Sequence, residues 1–193
     1  MEGWIAEKIR EKHTLLDRLE EAGYLAGVEH AGETLAGILR SGKKILLAGN
    51  GGSAADAQHF AGEIVGRFLM ERDALPAQSL CTDPSVVTCI GNDYGYDNLF
   101  ARQVAGLGQE GDAFIGISTS GNSENIIRAI REARRKSMKV IGLLGKGGGK
   151  IRDLCDVALV VPSDSTPRIQ EIHTFTVHLL CEMIEKAVFG SGK

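Results

Sequence analysis

The chain has 193 residues, with 22 basic side chains against 25 acidic ones and a formal net charge of −3. That length holds one ordinary domain with a proper core, and the near balance of charge excludes a strong electrostatic case for nucleic acid or an anionic membrane. The longest apolar runs are too short to span a bilayer, and the charged stretch 1–13 lacks a signal-type apolar segment, so a cytoplasmic protein is expected.

Residues 1–41 read as a helical N-terminal arm. Ile5, Ile9, Leu15, Leu16 and Leu19, then Val28, Leu35, Ile38 and Leu39, recur at three- and four-residue spacing. Gly23 and Gly27 are expected to break this stretch into two helices. Such an arm packs either on a partner subunit or on its own core.

Residues 42–193 read as one α/β domain. Short apolar runs fall at 44–48, 77–81, 113–117, 140–144 and 157–161, and longer helical patterns at 53–70, 123–136 and 166–189. Buried strands alternating with helices imply a mainly parallel sheet covered on both faces, with ligands beyond the carboxyl ends of the strands. That places the chemistry at 49–53, 82–85, 118–123 and 145–149. The 25 glycines, nearly twice the usual share of about 7%, gather at three of these loops. Cys81, Cys89, Cys155 and Cys181 form no C-x-x-C pair and are expected as reduced, mostly buried thiols.

The loop Ala48-Gly49-Asn50-Gly51-Gly52-Ser53 follows a strand and opens a helix, a setting that suits anions or oxygen-rich ligands. It only loosely fits the dinucleotide fingerprint, and no acidic residue follows at the usual distance, so no nucleotide cofactor is expected. The loop Ser118-Thr119-Ser120-Gly121-Asn122-Ser123 carries four hydroxyls at a helix start, a phosphate-cradle pattern without the lysine of a Walker sequence. Its bland alternative is a turn with Ser123 as a helix cap, which accounts for one hydroxyl of the four.

His59 and Glu63 stand four apart on the first of these helices and share a face; alone, such a pair is more often a simple hydrogen bond. Gln170 and His178 on the last helix can line one side of it. Asn92-Asp93, after the apolar run 86–90, adds a third polar cluster. The surrounding positions are apolar, which predicts a largely buried setting suited to proton transfer.

With these motifs in hand, the chain resembles the sugar isomerase (SIS) domain family, and within it the phosphoheptose isomerases. The carriers are Gly49–Ser53, Asp56-x-x-His59-Phe60-Ala61-x-Glu63, Gly91-Asn92-Asp93-x-Gly95, Gly116–Ser123 and Arg168-Ile169-Gln170-Glu171-x-His173-x-x-x-x-His178. The resemblance implies a five-stranded parallel sheet between helices, assembled as a homotetramer with sites at subunit interfaces. It implies isomerisation of D-sedoheptulose 7-phosphate to D-glycero-D-manno-heptose 7-phosphate, the entry to nucleotide-activated heptose and often to lipopolysaccharide core.

Residue by residue, the resemblance makes Glu63 the catalytic base and His178 its acid/base partner. It puts phosphate on Ser118, Thr119, Ser120 and Ser123, and the sugar on Asn50, Gly51, Gly52, Ser53, Glu63, Asn92, Asp93 and Gln170. It adds zinc, which some members carry on residues matching His59, Glu63, Gln170 and His178. A rival inside the family resembles the DnaA initiator-associating protein, a scaffold without catalysis; the presence of Glu63 and His178 speaks for the enzyme. No role is assigned to Asp164 or Arg168.

Overall fold

A computed structural model describes residues 2–21 and 23–190. Two helices, α1 (Glu2–Glu21) and α2 (Tyr24–Arg40), precede β1 (Ile45–Gly49) and α3 (Gly52–Val65). The edge strand β2 (Ala77–Ser79) leads into α4 (Pro84–Tyr94) and α5 (Leu99–Leu107). Then follow β3 (Ala113–Ser118), α6 (Glu124–Arg135), β4 (Lys139–Leu144), β5 (Val157–Val160) and α7 (Thr166–Phe189).

The five strands are all parallel, in the order β2-β1-β3-β4-β5. Period-two alternation splits the strand side chains between two cores. Ile45, Leu47, Ile115, Ile117, Ile141 and Leu143 face α2, α3 and α7. Leu46, Ala48, Phe114, Val140 and Leu144 face α5 and α6. Every residue of β1 and β3 is buried, as a sheet sandwiched between helices requires. At about 1.5–3 kcal/mol for each large apolar side chain removed from water, these two layers dominate the stability of the fold.

The sequence reading needs correction or completion at four points. Gly23 separates α1 from α2, but Gly27 lies inside α2, where its bare backbone lets Leu159 of β5 approach to within 2.9 Å of where a Cβ would stand. The run 86–90, to which the sequence reading assigns no element, is helical. It is the body of α4, capped by Asp83, whose Oδ1 accepts from the N–H groups of Ser85 (2.9 Å) and Val86 (3.1 Å) ahead of Pro84 at the first turn. The helix expected over 53–70 stops at Val65, closed by Gly66 donating to the Gly62 carbonyl. The thiols are free, but only Cys181 is buried; Cys81 and Cys155 are half-buried and Cys89 is exposed.

Candidate active site

At the carboxyl edge of the sheet the hydroxyl loop closes on itself. The Ser118 and Ser123 hydroxyls lie 3.0 Å apart, and those of Ser118 and Ser120 3.4 Å apart. Ser123 occupies the cap position of α6, yet its side chain makes no cap hydrogen bond; its hydroxyl faces Ser118 instead. Gly121 has φ +64°, and a Cβ there would overlap the Gly148 carbonyl, which explains glycine at the tightest point. The stretch 145–149 therefore braces the hydroxyl loop. Just beyond it, Lys150 N–H donates to Asn122 Oδ1 at 3.1 Å and Ile151 N–H to the Gly121 carbonyl at 3.0 Å.

Asn50, at the end of β1, joins the first glycine loop to this one. Its amide and that of Asn125 bond reciprocally, both at 2.9 Å, and Tyr96 Oη donates to Asn50 Oδ1 at 2.7 Å. Asn125 is 3% exposed, so the pair is a buried tie between loops. Sequence reasoning missed Asn125 and Tyr96; the only signal was an amide two residues past the hydroxyl loop. Asn92 and Asp93 sit in the last turn of α4, exposed and bonded to each other at 2.7 Å. Among the described residues no hydrogen bond joins their side chains to either loop.

The acid–base cluster forms where α3 and α7 pack side by side. Three contacts step along the helices in register. A Cβ on Gly52 would overlap the Gln170 amide, Thr174 donates to Asp56 Oδ1 at 2.9 Å, and His178 Nε2 lies 3.4 Å from His59 Nε2. His59 Nε2 also meets Glu63 Oε1 at 3.1 Å. Phe68 stacks on His178 with ring centroids 5.4 Å apart and planes at 24°. His59, Glu63 and His178 are half-buried, more open than the apolar flanks predict. Asp56 is buried, with Oδ2 unpartnered. Burial pushes its carboxyl up, against the lowering effects of the Thr174 hydroxyl and of His59.

The donors fit zinc in kind. Two ligands on a tetrahedral zinc at 2.0–2.1 Å stand about 3.4 Å apart, the separation of the two Nε2 atoms. Glu63 touches His59 but not His178, and among the described residues no three His, Cys, Asp or Glu side chains converge on one point. Gln170 is further off. It precedes His178 by about 12 Å of helix rise, so within one protomer it attends Gly52 and not the histidines.

Of the unassigned pair, Arg168 bonds Glu171 at 3.0 Å, and Lys12 of α1 reaches the other Glu171 oxygen at 3.5 Å. Asp164 is exposed in the turn before α7.

Comparisons with known proteins agree with this fold. A family model described as the SIS domain matches residues 9–145. A phosphoheptose isomerase from Sulfurimonas denitrificans is 50% identical over 193 residues, covering 100% of this chain and 99% of that protein. The solved structure of a phosphoheptose isomerase from Neisseria gonorrhoeae superposes with a TM-score of 0.90 at 42% identity, over 96% of this chain and 98% of that one. One from Francisella tularensis gives 0.91 at 38% identity, over 95% and 97%.

Proposed function

Because the chain belongs to the SIS domain family, and within it to the phosphoheptose isomerases, we propose that it interconverts D-sedoheptulose 7-phosphate and D-glycero-D-manno-heptose 7-phosphate. The observation that carries this reading is the run of contacts His178–His59–Glu63, in a fold that also builds a hydroxyl-lined loop. Aldose–ketose isomerisation moves one proton between adjacent carbons through an enediol. Glu63 takes the C1 proton and returns it to C2, while His178 moves a proton between the two oxygens. Phosphate gripped by Ser118, Thr119, Ser120 and Ser123 fixes the far end, so binding energy from a non-reacting group orients the reacting carbons. Asn50, Gly51, Gly52, Ser53, Asn92, Asp93 and Gln170 hold the sugar between.

The site is shared between copies of the chain. Glu63 lies eleven residues beyond Gly52, about 16 Å along α3, whereas an extended heptose phosphate measures roughly 10 Å from C1 to phosphorus. The two helices also cover opposite faces of the sheet, α3 on one and α6, which opens from the hydroxyl loop, on the other. A loop from one protomer facing Glu63 of another spans the substrate, and a homotetramer supplies such facing pairs. The exposed Trp4, Ile5 and Ile9 of α1 are apolar surface consistent with burial against another copy.

His59, Glu63 and His178 would hold zinc, with Gln170 reaching in from a neighbouring protomer. Bound there, the metal would polarise the substrate carbonyl. The free thiols fit a reducing, cytoplasmic compartment, and no helix among the described residues is long and apolar enough to cross a membrane. Glu63 and His178 are retained in mutual contact with His59, which favours catalysis over the scaffold reading.

The test is incubation with sedoheptulose 7-phosphate in D2O. The expected result is the heptose aldose phosphate carrying deuterium at C2, read by NMR. Unchanged ketose with no exchange at C1 would refute the reading. Metal analysis of the purified protein, before and after chelation, tests zinc independently of turnover.

A further inference from the structure

A buried ion pair lies at the far end of α3, outside every group assigned to substrate. Arg72 Nε donates to Glu185 Oε1 at 2.8 Å, and each side chain is 1% exposed. Removing two charges from water is costly unless their remaining polar atoms are satisfied. Here they are. Arg72 donates to the carbonyls of Glu63 (2.8 Å), Ile64 (3.0 Å), Gly66 (3.3 Å) and Asp73 (3.0 Å). Glu185 accepts from the N–H groups of Phe68 (2.9 Å), Leu69 (2.9 Å) and Met70 (3.0 Å).

Both ends of this clamp bear on the acid–base cluster. The carbonyls of Glu63 and Ile64 belong to the last turn of α3, where no partner exists within the helix. Arg72 supplies that partner, joined at Ile64 by the Leu75 N–H (3.3 Å), and keeps the turn carrying Glu63 from fraying. The three N–H groups on Glu185 fix the start of the segment after α3, and with it Phe68, whose ring stacks on His178. Glu185 stands seven residues after His178, two turns along one face of α7.

We propose that Arg72 and Glu185 are positioning residues for the isomerase pair, holding Glu63 through its backbone and His178 through the Phe68 ring. The chemistry rests on the isomerase reading, but the geometry is measurable without turnover.

The test uses the full chain with Glu185→Gln, Arg72→Lys and Phe68→Leu. Glu185→Gln is expected to lower kcat by about 10- to 100-fold with KM for sedoheptulose 7-phosphate within about twofold, because only the reacting groups lose their geometry. Phe68→Leu leaves the ion pair intact and lowers kcat less. Arg72→Lys keeps the charge, loses the fork to the carbonyls, and falls between. In Glu185→Gln and Phe68→Leu the ring protons of His178, assigned by their loss in His178→Gln, shift downfield by NMR as the stacked ring departs.

A folded Glu185→Gln protein with unchanged kcat and unchanged His178 resonances, altered only in melting temperature, would overturn the proposal. So would a rise in KM that accounts for the whole loss of kcat/KM. If Glu185→Gln does not fold, Arg72→Lys and Phe68→Leu decide by the same readouts. If the parent protein shows no isomerisation at all, the isomerase reading fails, and the His178 resonances alone settle the clamp.

Discussion

At the carboxyl edge of the sheet, Ser118, Ser120 and Ser123 come from six consecutive residues braced by the stretch 145–151. Along α3, away from that edge, His59 and His178 meet across 119 residues of sequence, on two helices that follow different strands. The first cluster is local and its shape survives as long as its own turn does. The second exists only while α3 and α7 stay in register, through the Asp56–Thr174 contact and the Arg72–Glu185 pair. The two clusters are therefore built with different fragility in the same domain.

The largest expected effect separates them outright. Glu63→Gln keeps the shape of the side chain and removes the base, so kcat falls by about 10²- to 10⁴-fold while the dissociation constant for the sugar phosphate stays within a few-fold. Steady-state kinetics and calorimetry check the two halves. Equal losses in both would merge the clusters into one unit and break the comparison.

The complementary change is Ser123→Ala. One hydrogen bond to a charged group contributes about 1.5–3 kcal/mol, so affinity for the sugar phosphate weakens by about tenfold or more, with kcat the less affected. Mixing the two variants sharpens the comparison further. If one protomer's loop faces another's Glu63, refolding Glu63→Gln chains with Ser123→Ala chains restores some intact sites and hence activity. Mixed oligomers no more active than the Ser123→Ala protein alone would place both clusters in one protomer.

A smaller effect is expected at the tie between loops. Asn125→Ala removes both amide hydrogen bonds to Asn50, each of order 1 kcal/mol, and leaves Asn50 with Tyr96 alone. KM rises a few-fold and the melting temperature drops, while kcat is nearly unchanged.

The same division explains what could be read from the sequence. The five strands, α6 and α7 were legible because buried runs and 3.6-residue periodicity are properties of short windows. The hydroxyl loop was legible because its donors are neighbours in the chain. Gly27 misled, since a glycine that admits Leu159 looks the same in sequence as one that ends a helix. The helix α4 was hidden by its β-branched and glycine content, although Asp83-Pro84 is a legible start signal. Spacing paired His59 with Glu63 and Gln170 with His178, each on its own helix, but their catalytic roles came from family resemblance, because no local pattern encodes which turns of α3 and α7 touch. Arg72 and Glu185 were missed for the same reason. A carboxylate seven residues past His178 in an apolar stretch marks a buried charge in need of a partner, but its partner is 113 residues away.

The least effect on turnover is expected at the residue that fastens α7 to the sheet between the two clusters. His173 is fully buried, and its Nε2 lies 3.1 Å from the Leu144 carbonyl at the end of β4, with Nδ1 unpartnered. Burial pulls its pKa from 6.5 down to about 4, against the raising effect of the Leu144 bond. The neutral ring therefore donates from Nε2 in the fold. The unfolded chain takes up this proton near pH 6.5 and the folded one only near pH 4, so the unfolded state binds more protons in between. The stability this ring contributes is complete above pH 6.5 and is lost as pH falls towards 4. At neutral pH, His173→Gln, which retains a donor for Leu144 and cannot titrate, leaves kcat close to that of the parent. Its melting temperature falls less steeply than the parent's over that acid window. Parallel curves for the two proteins would mean that His173 already carries its proton in the fold, and the latch between α7 and β4 would then need another donor.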